Sequence, residues 1–353
     1  MTLLRTGIPT ARNVDHIAYT VPDLDEAVAF FGEVLGAPEL YRQGPVADAG
    51  DFMAVQLDVH PRASCFVSLL RFGPECNLEL FEYTAPGQRT RQPRQADVGG
   101  HHLALTVDDV PAALAGLAAR AGVEVLSEPA PRPGRGGLGC HALTPWGMHI
   151  ELVQPDRADR GTALYLPDTV WDTGPGGLPG VRSLHHVGYT VPDLDAAVAF
   201  CTGPLGGEVV WRQAHRPDPV VAGRNLAGDG CSLVDLAMIR LGPVTNVQLA
   251  QYVNVPDRVT TLPANSDVGG HHLAFYVDDL DRAAEYLHRV PGVRVLGTPQ
   301  LVDEGGPIDG DRWVYFRAPW GMQMEALQLP EQLPYEQATA HRRFGPGPGW
   351  LHR

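Results

Sequence analysis

The strongest constraint on the fold is a repeat that runs through the whole chain. The sequence HIAYTVPDLDEAVAFF at residues 16–31 recurs as HVGYTVPDLDAAVAFC at residues 186–201. DVGGHHLA occurs at both 97–104 and 267–274, and PWGM at both 145–148 and 319–322. Because the first two matches share one displacement of 170 residues, the 353-residue chain is a tandem duplication of two halves.

A second, older repeat lies inside each half. Segments that begin at His16, His102, His186 and His272 each continue with a short β-branched and aromatic run and then an Asp. The run predicts a strand, and the Asp before an apolar-periodic stretch predicts a helix start. With the strand-like segments that follow, this spacing predicts four βαβββ modules of about 85 residues each, an α+β fold.

The first predicted helix shows how these elements are read. Asp23 can cap its N-terminus, Glu26 has capping-box spacing, and Gly36 can close its end. Ala27, Phe30, Phe31 and Leu35 form the predicted buried face. The matching helix of the third module meets Gly203-Pro204 and should be short.

Pairing of the two modules within each half predicts two tandem domains. We expect an N-terminal domain at 1–155, a linker at 156–182, a C-terminal domain at 183–330 and a tail at 331–353. The linker and the tail are both rich in Pro and Gly.

Composition limits the partners of the protein. The formal net charge of −14 argues against nucleic acid, and no apolar run reaches the length of a membrane span. The N-terminus lacks the apolar core of a signal peptide, and five cysteines without a CxxC pair fit reduced thiols. These features predict a cytoplasmic protein, a monomer or homodimer, that binds a small molecule rather than nucleic acid or a membrane.

Ligand-type side chains recur at the edges of the modules. Each module begins with a His, and its last strand carries an acid or amide at a matching place. Under pairing within halves, the two predicted sets are His16, Glu79, His102 and Glu151, and His186, Gln248, His272 and Glu325. His101 and His271 should point to the opposite face, because strand residues alternate.

Imidazoles and carboxylates in this pattern predict a metal site. Two imidazoles with one or two carboxylates suit Fe²⁺, Zn²⁺, Mn²⁺, Co²⁺ or Ni²⁺. Thiolate zinc sites and all-oxygen calcium sites do not fit this donor set. The sequence therefore predicts a divalent metal ion as cofactor.

The four modules and the His and Glu/Gln placement resemble the vicinal oxygen chelate superfamily over residues 13–328. This superfamily includes glyoxalase I, methylmalonyl-CoA epimerase and extradiol dioxygenases. Its metal ligands come from the first and last strands of paired modules, which implies the eight residues named above. The set that contains Gln248 is similar to that of methylmalonyl-CoA epimerase. The set of two His and two Glu in the first half is similar to that of bacterial glyoxalase I.

Two reactions remain open. In the first, a metal-bound carbonyl is acidified and Glu79, Glu151 or Glu325 moves a proton on the adjacent carbon, as in an isomerase or epimerase. In the second, His186, His272 and Glu325 hold Fe²⁺ for an extradiol dioxygenase. Residues 307–314 lack the His that those dioxygenases place before the equivalent of Tyr315, which favours the epimerase.

Further expectations concern the substrate and its pocket. The duplicated chain resembles the epimerases of 2-epi-5-epi-valiolone, a C7 cyclitol ketone, which implies an enzyme of secondary metabolism. His141 and Tyr315 occupy matching positions and are predicted to line the pockets. We expect two-base proton transfer in the first half, between Glu79 and Glu151, and weaker metal binding beside Gln248.

Overall fold

The structure of the protein is a computed structural model that describes residues 7–132, 136–156, 171–217 and 233–345. Each half contains two modules that begin with a strand and a helix and continue with further strands, as predicted. The first module consists of β1 (Ala11–Thr20), α1 (Leu24–Leu35), β2 (Glu39–Val46), a short helix α2 (Phe52–Val55), β3 (Ser64–Phe72) and β4 (Cys76–Thr84). The second consists of β5 (His101–Val107), α3 (Val110–Ala118), β6 (Glu124–Val125), β7 (Ala130–Pro131), β8 (Leu138–Leu143) and β9 (His149–Gln154).

The second half repeats this order. Its first module consists of β10 (Val181–Thr190), α4 (Leu194–Thr202), β11 (Glu208–Pro217), β12 (Leu233–Leu241) and β13 (Thr245–Val253). The fourth module consists of β14 (His271–Val277), α5 (Leu280–Arg289), β15 (Arg294–Val295), β16 (Gln300–Leu301), β17 (Arg312–Arg317) and β18 (Gln323–Gln328). A 3₁₀ turn (Pro334–Gln337) lies in the tail. No helix in the described ranges has the length and apolar character to cross a membrane.

Local sequence explains where the helices begin and end. The Asp23 side chain accepts a hydrogen bond from the backbone N–H of Glu26, and Gly36 ends α1 with a left-handed φ of 63°. Glycine adopts this conformation without the clash that a Cβ would cause. The helix of the third module, α4, ends at Thr202, directly before Gly203, so the predicted short helix is confirmed.

Within the described residues, the strands form two nine-stranded sheets, and each sheet takes one module from each half. Sheet I has the order β15-β17-β18-β14-β1-β4-β3-β2, with β16 beside β17. Sheet II has the order β11-β12-β13-β10-β5-β9-β8-β6, with β7 beside β8. The pairing of modules within a half was therefore wrong: the first module pairs with the fourth, and the second with the third.

The pairing is made by the first strands of the modules. β1 runs antiparallel to β14, and β5 runs antiparallel to β10. Within each module the first strand is parallel to the last, as in β1 beside β4. The four first strands have nearly the same sequence, so their backbone edges are equivalent. Repeat periodicity therefore locates the modules but does not identify their partners.

Alternation along the strands separates the core from the site-bearing faces. Ile17 and Tyr19 of β1 belong to a core that joins both sheets and the helices, whereas Ala18 packs in a separate cluster on the opposite face. Leu78 and Leu80 of β4 likewise enter the shared core. The alternate side chains, His16 and Ala18 on β1 and Glu79 on β4, consequently project away from the partner sheet.

Two ring stacks join the sheets in the core. Tyr19 stacks on His101 with ring centroids 4.6 Å apart, and Tyr189 stacks on His271 at 4.9 Å. The two imidazoles lie 5.0 Å from each other. The prediction that His101 and His271 point away from the ligand-bearing face is thus confirmed by their contacts.

Four cysteines, Cys65, Cys76, Cys140 and Cys201, are buried free thiols, in agreement with the absence of a disulfide framework. The fifth, Cys231, lies outside the described residues.

Candidate metal centres

Four ligand-type side chains converge on the outer face of sheet I. They come from four neighbouring strands: Glu325 from β18, His272 from β14, His16 from β1 and Glu79 from β4. His16 Nε2 lies 3.2 Å from Glu79 Oε2 and 3.3 Å from Glu325 Oε2. His272 Nε2 lies 3.5 Å and 3.4 Å from the same two atoms. The two Nε2 atoms are 3.3 Å apart, and we call this cluster site I.

The spacing of these atoms suits a metal ion. Five of the six distances between the donor atoms lie between 3.2 and 3.5 Å. In a regular tetrahedron with edges of about 3.3 Å the centre lies about 2.0 Å from each corner, which matches zinc–imidazole and zinc–carboxylate distances. All four side chains are buried, with exposed fractions from 0% to 9%. Packing two carboxylates and two imidazoles together in a buried place without an ion or bound protons would be unfavourable. The residues present therefore fit a divalent cation.

Sheet II carries a related cluster at the equivalent place, site II. His102 Nε2 lies 2.9 Å from His186 Nε2, and Glu151 Oε2 lies 3.5 Å and 3.4 Å from these two nitrogens. Gln248 pairs with Gly188 on the neighbouring strand, as Glu79 pairs with Ala18 in sheet I. Gln248 thus occupies the fourth strand position of site II, where site I has a carboxylate.

These clusters correct the predicted ligand sets. The side chains expected together were His16 and Glu79 with His102 and Glu151, but the two pairs lie in different sheets. Each set of four is instead completed by the other half of the chain. The reason is the pairing of β1 with β14 and of β5 with β10, which no local sequence pattern encodes.

The alternative dioxygenase triad is also separated. His186 belongs to site II, together with His102 and Glu151. His272 and Glu325 belong to site I. These three residues therefore do not form one facial triad, and Glu79 and Glu151 do not face each other across one substrate.

Charge balance differs between the two sites. Burial by itself would lower the pKa of His16, but the carboxylates of Glu79 and Asp15 outweigh burial and raise that pKa well above its usual value. Burial would raise the pKa of Glu79, yet the adjacent imidazoles lower it. In site II, burial lowers the pKa of His186 well below its usual value, because Glu151 compensates only in part. The imidazole of His16 in site I is therefore surrounded by more carboxylate charge than that of His186 in site II.

The residues behind the two sites differ as well. His16 Nδ1 lies 3.0 Å from Asp15 Oδ1, whereas His186 Nδ1 lies 2.8 Å from His185 Nδ1 at the matching place. Asp15 is completely buried, and burial would raise its pKa, but the charge of Arg343 lowers it. Sequence analysis missed Asp15 and Arg343, although Asp15 directly precedes a predicted ligand.

Site II also contains a chain of imidazole and amide contacts. Gln95 Nε2 lies 3.0 Å from His102 Nδ1, and Gln95 Oε1 lies 2.8 Å from His149 Nδ1. His149 Nε2 in turn lies 2.9 Å from His141 Nδ1. In sheet I the nearest equivalent contact is Asn265 Oδ1, 3.4 Å from His272 Nδ1.

His102 needs space that only glycine provides. A Cβ added at Gly188 would lie 1.9 Å from His102 Cε1, so the imidazole of His102 sits directly over this backbone. The corresponding residue of sheet I is Ala18, which pairs with His272.

Site I opens into a cavity of about 530 Å³. Tyr41, Tyr315, Trp313, Asp311 and Arg343 line it together with three members of the cluster, His16, Glu79 and Glu325. The ring of Tyr315 lies 5.0 Å from that of His272, and burial keeps its pKa well above the usual value, so the phenol stays protonated. Asp311 was not foreseen; burial raises its pKa well above the usual value, and its Oδ1 has no hydrogen-bond partner.

The predicted pocket residues occupy equivalent positions. Tyr315 pairs with Glu325 on the neighbouring strand, and His141 pairs with Glu151 in the same way. Tyr315 lines the cavity of site I, while His141 contacts His149 beside site II.

A family model described as "Glyoxalase/Bleomycin resistance protein/Dioxygenase superfamily" matches residues 15–144 and 185–308. A 2-epi-5-epi-valiolone epimerase from an Actinomyces species is 50% identical over 174 residues. That match covers 94% of the relative and 49% of this chain. An ethylmalonyl-CoA/methylmalonyl-CoA epimerase of Cereibacter sphaeroides is 28% identical over 131 residues, 86% of its length and 36% of this chain.

Solved structures show the same fold. Glyoxalase I from Zea mays aligns with a TM-score of 0.55 at 19% identity, over 90% of this chain and 92% of that one. A putative dioxygenase from Bacillus subtilis aligns with a TM-score of 0.54 at 14% identity, over 91% and 86% of the two chains. At these identities the likeness extends to the architecture of four modules in two sheets and not to the reaction.

Proposed function

Because the chain belongs to the glyoxalase/bleomycin resistance protein/dioxygenase superfamily, we propose that it is a metal-dependent epimerase. It moves a proton on the carbon next to a ketone of a small polyhydroxylated substrate. The observation that carries the proposal is site I: two imidazoles and two carboxylates at metal-ligand spacing beside a cavity of about 530 Å³. The 50% identity to a 2-epi-5-epi-valiolone epimerase over 49% of this chain supports a C7 cyclitol ketone as the substrate.

His16, Glu79, His272 and Glu325 would hold the ion. A divalent ion supplies Lewis acidity, which polarises a carbonyl oxygen and acidifies the neighbouring C–H. Metal analysis of the purified protein identifies which of the five candidate ions is bound: Fe²⁺, Zn²⁺, Mn²⁺, Co²⁺ or Ni²⁺.

The two carboxylates are placed for proton transfer in both directions. Glu79 and Glu325 come from β4 and β18, which flank the two His-bearing strands on opposite sides. One carboxylate accepts the proton from one face of the substrate carbon, and the other, which is protonated at the start of the step, returns a proton to the opposite face. Epimerisation requires this two-faced geometry. The predicted pair of Glu79 and Glu151 is thereby replaced by Glu79 and Glu325.

Other cavity residues bind rather than react. The protonated phenol of Tyr315 can donate a hydrogen bond to a substrate oxygen. Among the described residues that line the cavity, Arg343 is the one Arg or Lys, and it already faces Asp15. Asp48, Asp303 and Glu304 add further carboxylates to those of Glu79 and Glu325. This balance favours a neutral polyol over a phosphorylated or coenzyme A substrate, whose negative charges these acids would repel.

The extradiol alternative is not supported by the site geometry. Its proposed ligands are divided between the two sheets, and site I presents four ligand-type groups rather than a triad. We expect the enzyme to act in the cytoplasm as a monomer or homodimer.

The test is an isotope experiment on the purified, metal-analysed protein. Incubation of 2-epi-5-epi-valiolone in D₂O should place deuterium on the carbon next to the ketone, without O₂ uptake. The variant His16→Ala/His272→Ala should lose both this exchange and one metal equivalent per chain. The matched variant His102→Ala/His186→Ala removes the corresponding pair of site II. Exchange that survives in the first variant and disappears in the second would move the reaction to site II, and stoichiometric O₂ uptake would overturn the epimerase.

A further inference from the structure

The C-terminal tail reaches the back of site I. Leu333, Tyr335 and Phe344 of the tail, with Leu329 just before it, pack in one apolar cluster with residues of the first and fourth modules and with Val244 of the third. Within this segment, Arg343 is only 9% exposed. A guanidinium so deeply buried is stable only beside a carboxylate that faces it.

That carboxylate belongs to Asp15, which precedes the metal-ligand candidate His16. Arg343 Nη2 donates to Asp15 Oδ1, and the same oxygen lies 3.0 Å from His16 Nδ1. The opposite nitrogen of the ring, His16 Nε2, faces Glu79 and Glu325. An unbroken series of contacts thus leads from the tail, through Asp15 and the imidazole, to site I.

The tail is held at this position by its backbone. The Asn77 side chain accepts a hydrogen bond from the Phe344 N–H at 2.7 Å and donates to the Phe344 carbonyl at 3.2 Å. It also donates to the Asp15 carbonyl at 2.9 Å. The Arg343 N–H donates to the Tyr335 hydroxyl at 3.1 Å. Asn77 therefore fixes the tail and the segment of Asp15 relative to each other.

A neutral imidazole binds a cation through the nitrogen that lacks a proton. Nε2 of His16 is free for this only when Nδ1 carries the proton, and Asp15 is the acceptor for that proton. Arg343 neutralises and orients Asp15, which otherwise would be an uncompensated charge without any exposure. Site II has His185 in place of Asp15, so this arrangement is specific to site I.

We propose that Arg343 is a positioning residue: through Asp15 it orients His16, so that the C-terminal tail sets the metal affinity of site I alone. The inference rests on the proposed function insofar as site I must bind a divalent ion. It adds that a residue remote in sequence, in a tail outside the repeated modules, controls one of the two sites.

Titration of the full-length apoprotein with Co²⁺ tests this inference. A His186→Ala background removes a ligand of site II, so that the visible absorption of bound Co²⁺ reports site I. Arg343→Met, which retains most of the side-chain volume, should weaken Co²⁺ binding about 10- to 100-fold. Arg343→Lys should recover part of the loss. Leu333→Ala, which removes a buried apolar side chain of the same tail but no charge, is the control and should leave the affinity unchanged.

A double-mutant cycle with Asp15→Asn identifies the route of the effect. When Asp15 is already an amide, Arg343→Met should weaken binding no further. Unchanged affinity in Arg343→Met, or an equal loss in both backgrounds, would overturn the inference while leaving the metal site intact. A parent protein that binds no Co²⁺ at site I would instead overturn the proposed function, and with it this inference.

Discussion

Site I and site II share one backbone arrangement but carry different chemistry. Both take a His and an acid or amide from each of two modules, on strands of matching order. Site I has a second carboxylate, Glu79, and a buried Asp15 behind its first His. Site II has Gln248 and His185 at these two places. Duplication thus preserved the geometry, while substitutions gave site I more carboxylates and site II an amide and a further imidazole.

This difference indicates which site has groups that can accept and return a proton on opposite faces of a substrate. An amide neither accepts a proton at neutral pH nor adds negative charge to a metal site. Site I therefore has a carboxylate on each side, and site II has one, Glu151. We still expect the site with Gln248 to bind metal more weakly, but the residues beside Gln248 are now His102, Glu151 and His186.

The largest expected effect is on turnover. Glu325→Gln should lower the rate of deuterium exchange about 10³-fold, within the range for loss of a general acid or base. Glu79→Gln, which gives site I the same residue types as site II, should have an effect of similar size. The comparison is Glu151→Gln in site II, where we expect a far smaller loss. A larger loss in Glu151→Gln than in Glu325→Gln would reverse the roles of the two sites.

The next effect concerns stability, where the two sheets should behave alike. Burial lowers the pKa of His271 to about 4 and that of His101 well below its usual value. The unfolded chain then binds more protons between pH 6.5 and about 4, so the free energy of unfolding falls as the pH falls through this window. For His271 the total loss is roughly 3 kcal/mol, from about 1.4 kcal/mol for each pH unit of the shift.

Urea denaturation at several pH values measures this slope. His271→Phe and His101→Phe keep a ring in each stack but do not titrate, so each should flatten the slope between pH 6.5 and 4. A slope that both variants leave unchanged would show that other groups cause the acid sensitivity.

A smaller effect should be confined to site II. Gly188→Ala places a methyl group where the His102 ring lies, at a separation of 1.9 Å from Cε1. Displacement of the ring should cost about 1–3 kcal/mol, the usual range for overpacking. Metal content should fall by one equivalent per chain, with exchange activity retained. Ala18→Gly, at the matching position of sheet I, is the control, and loss of metal from both sites in Gly188→Ala would contradict the local explanation.

The smallest expected effect is a gain in the metal affinity of site II. Gln248→Glu gives site II the same four ligand types as site I and should tighten Zn²⁺ binding about tenfold, or roughly 1.4 kcal/mol. Competition with a chromophoric chelator measures the affinity. Equal affinity in the variant and the parent would show that the fourth position does not contact the ion.

Much of the fold was predictable because its signals are local. The repeat gave the module boundaries, Asp23 and Gly36 gave the ends of α1, and strand alternation placed His101 and His271 on the core side. The candidate ligand residues were identified individually for the same reason. Their grouping was not, because β1 could pair with β5 or β14 through edges of nearly equal sequence.

The residues that support site I were hidden for a related reason. Arg343 lies 328 positions from Asp15, in a tail that belongs to no repeat. Asp311 directly precedes β17, and the other modules have no equivalent Asp at that position of the repeat. Only their burial and contacts in the folded chain identify them as part of the cavity.

By itself, the sequence determined the duplication, the α+β modules and the eight ligand-type residues, since each depends on neighbours within one module. The tertiary structure alone decided which modules share a sheet, and therefore which carboxylates face one another. It also placed Arg343 of the tail against Asp15, behind site I. The physical reason is that strand pairing and buried ion pairs join segments distant in sequence, and their free energy depends on packing that a local pattern does not contain.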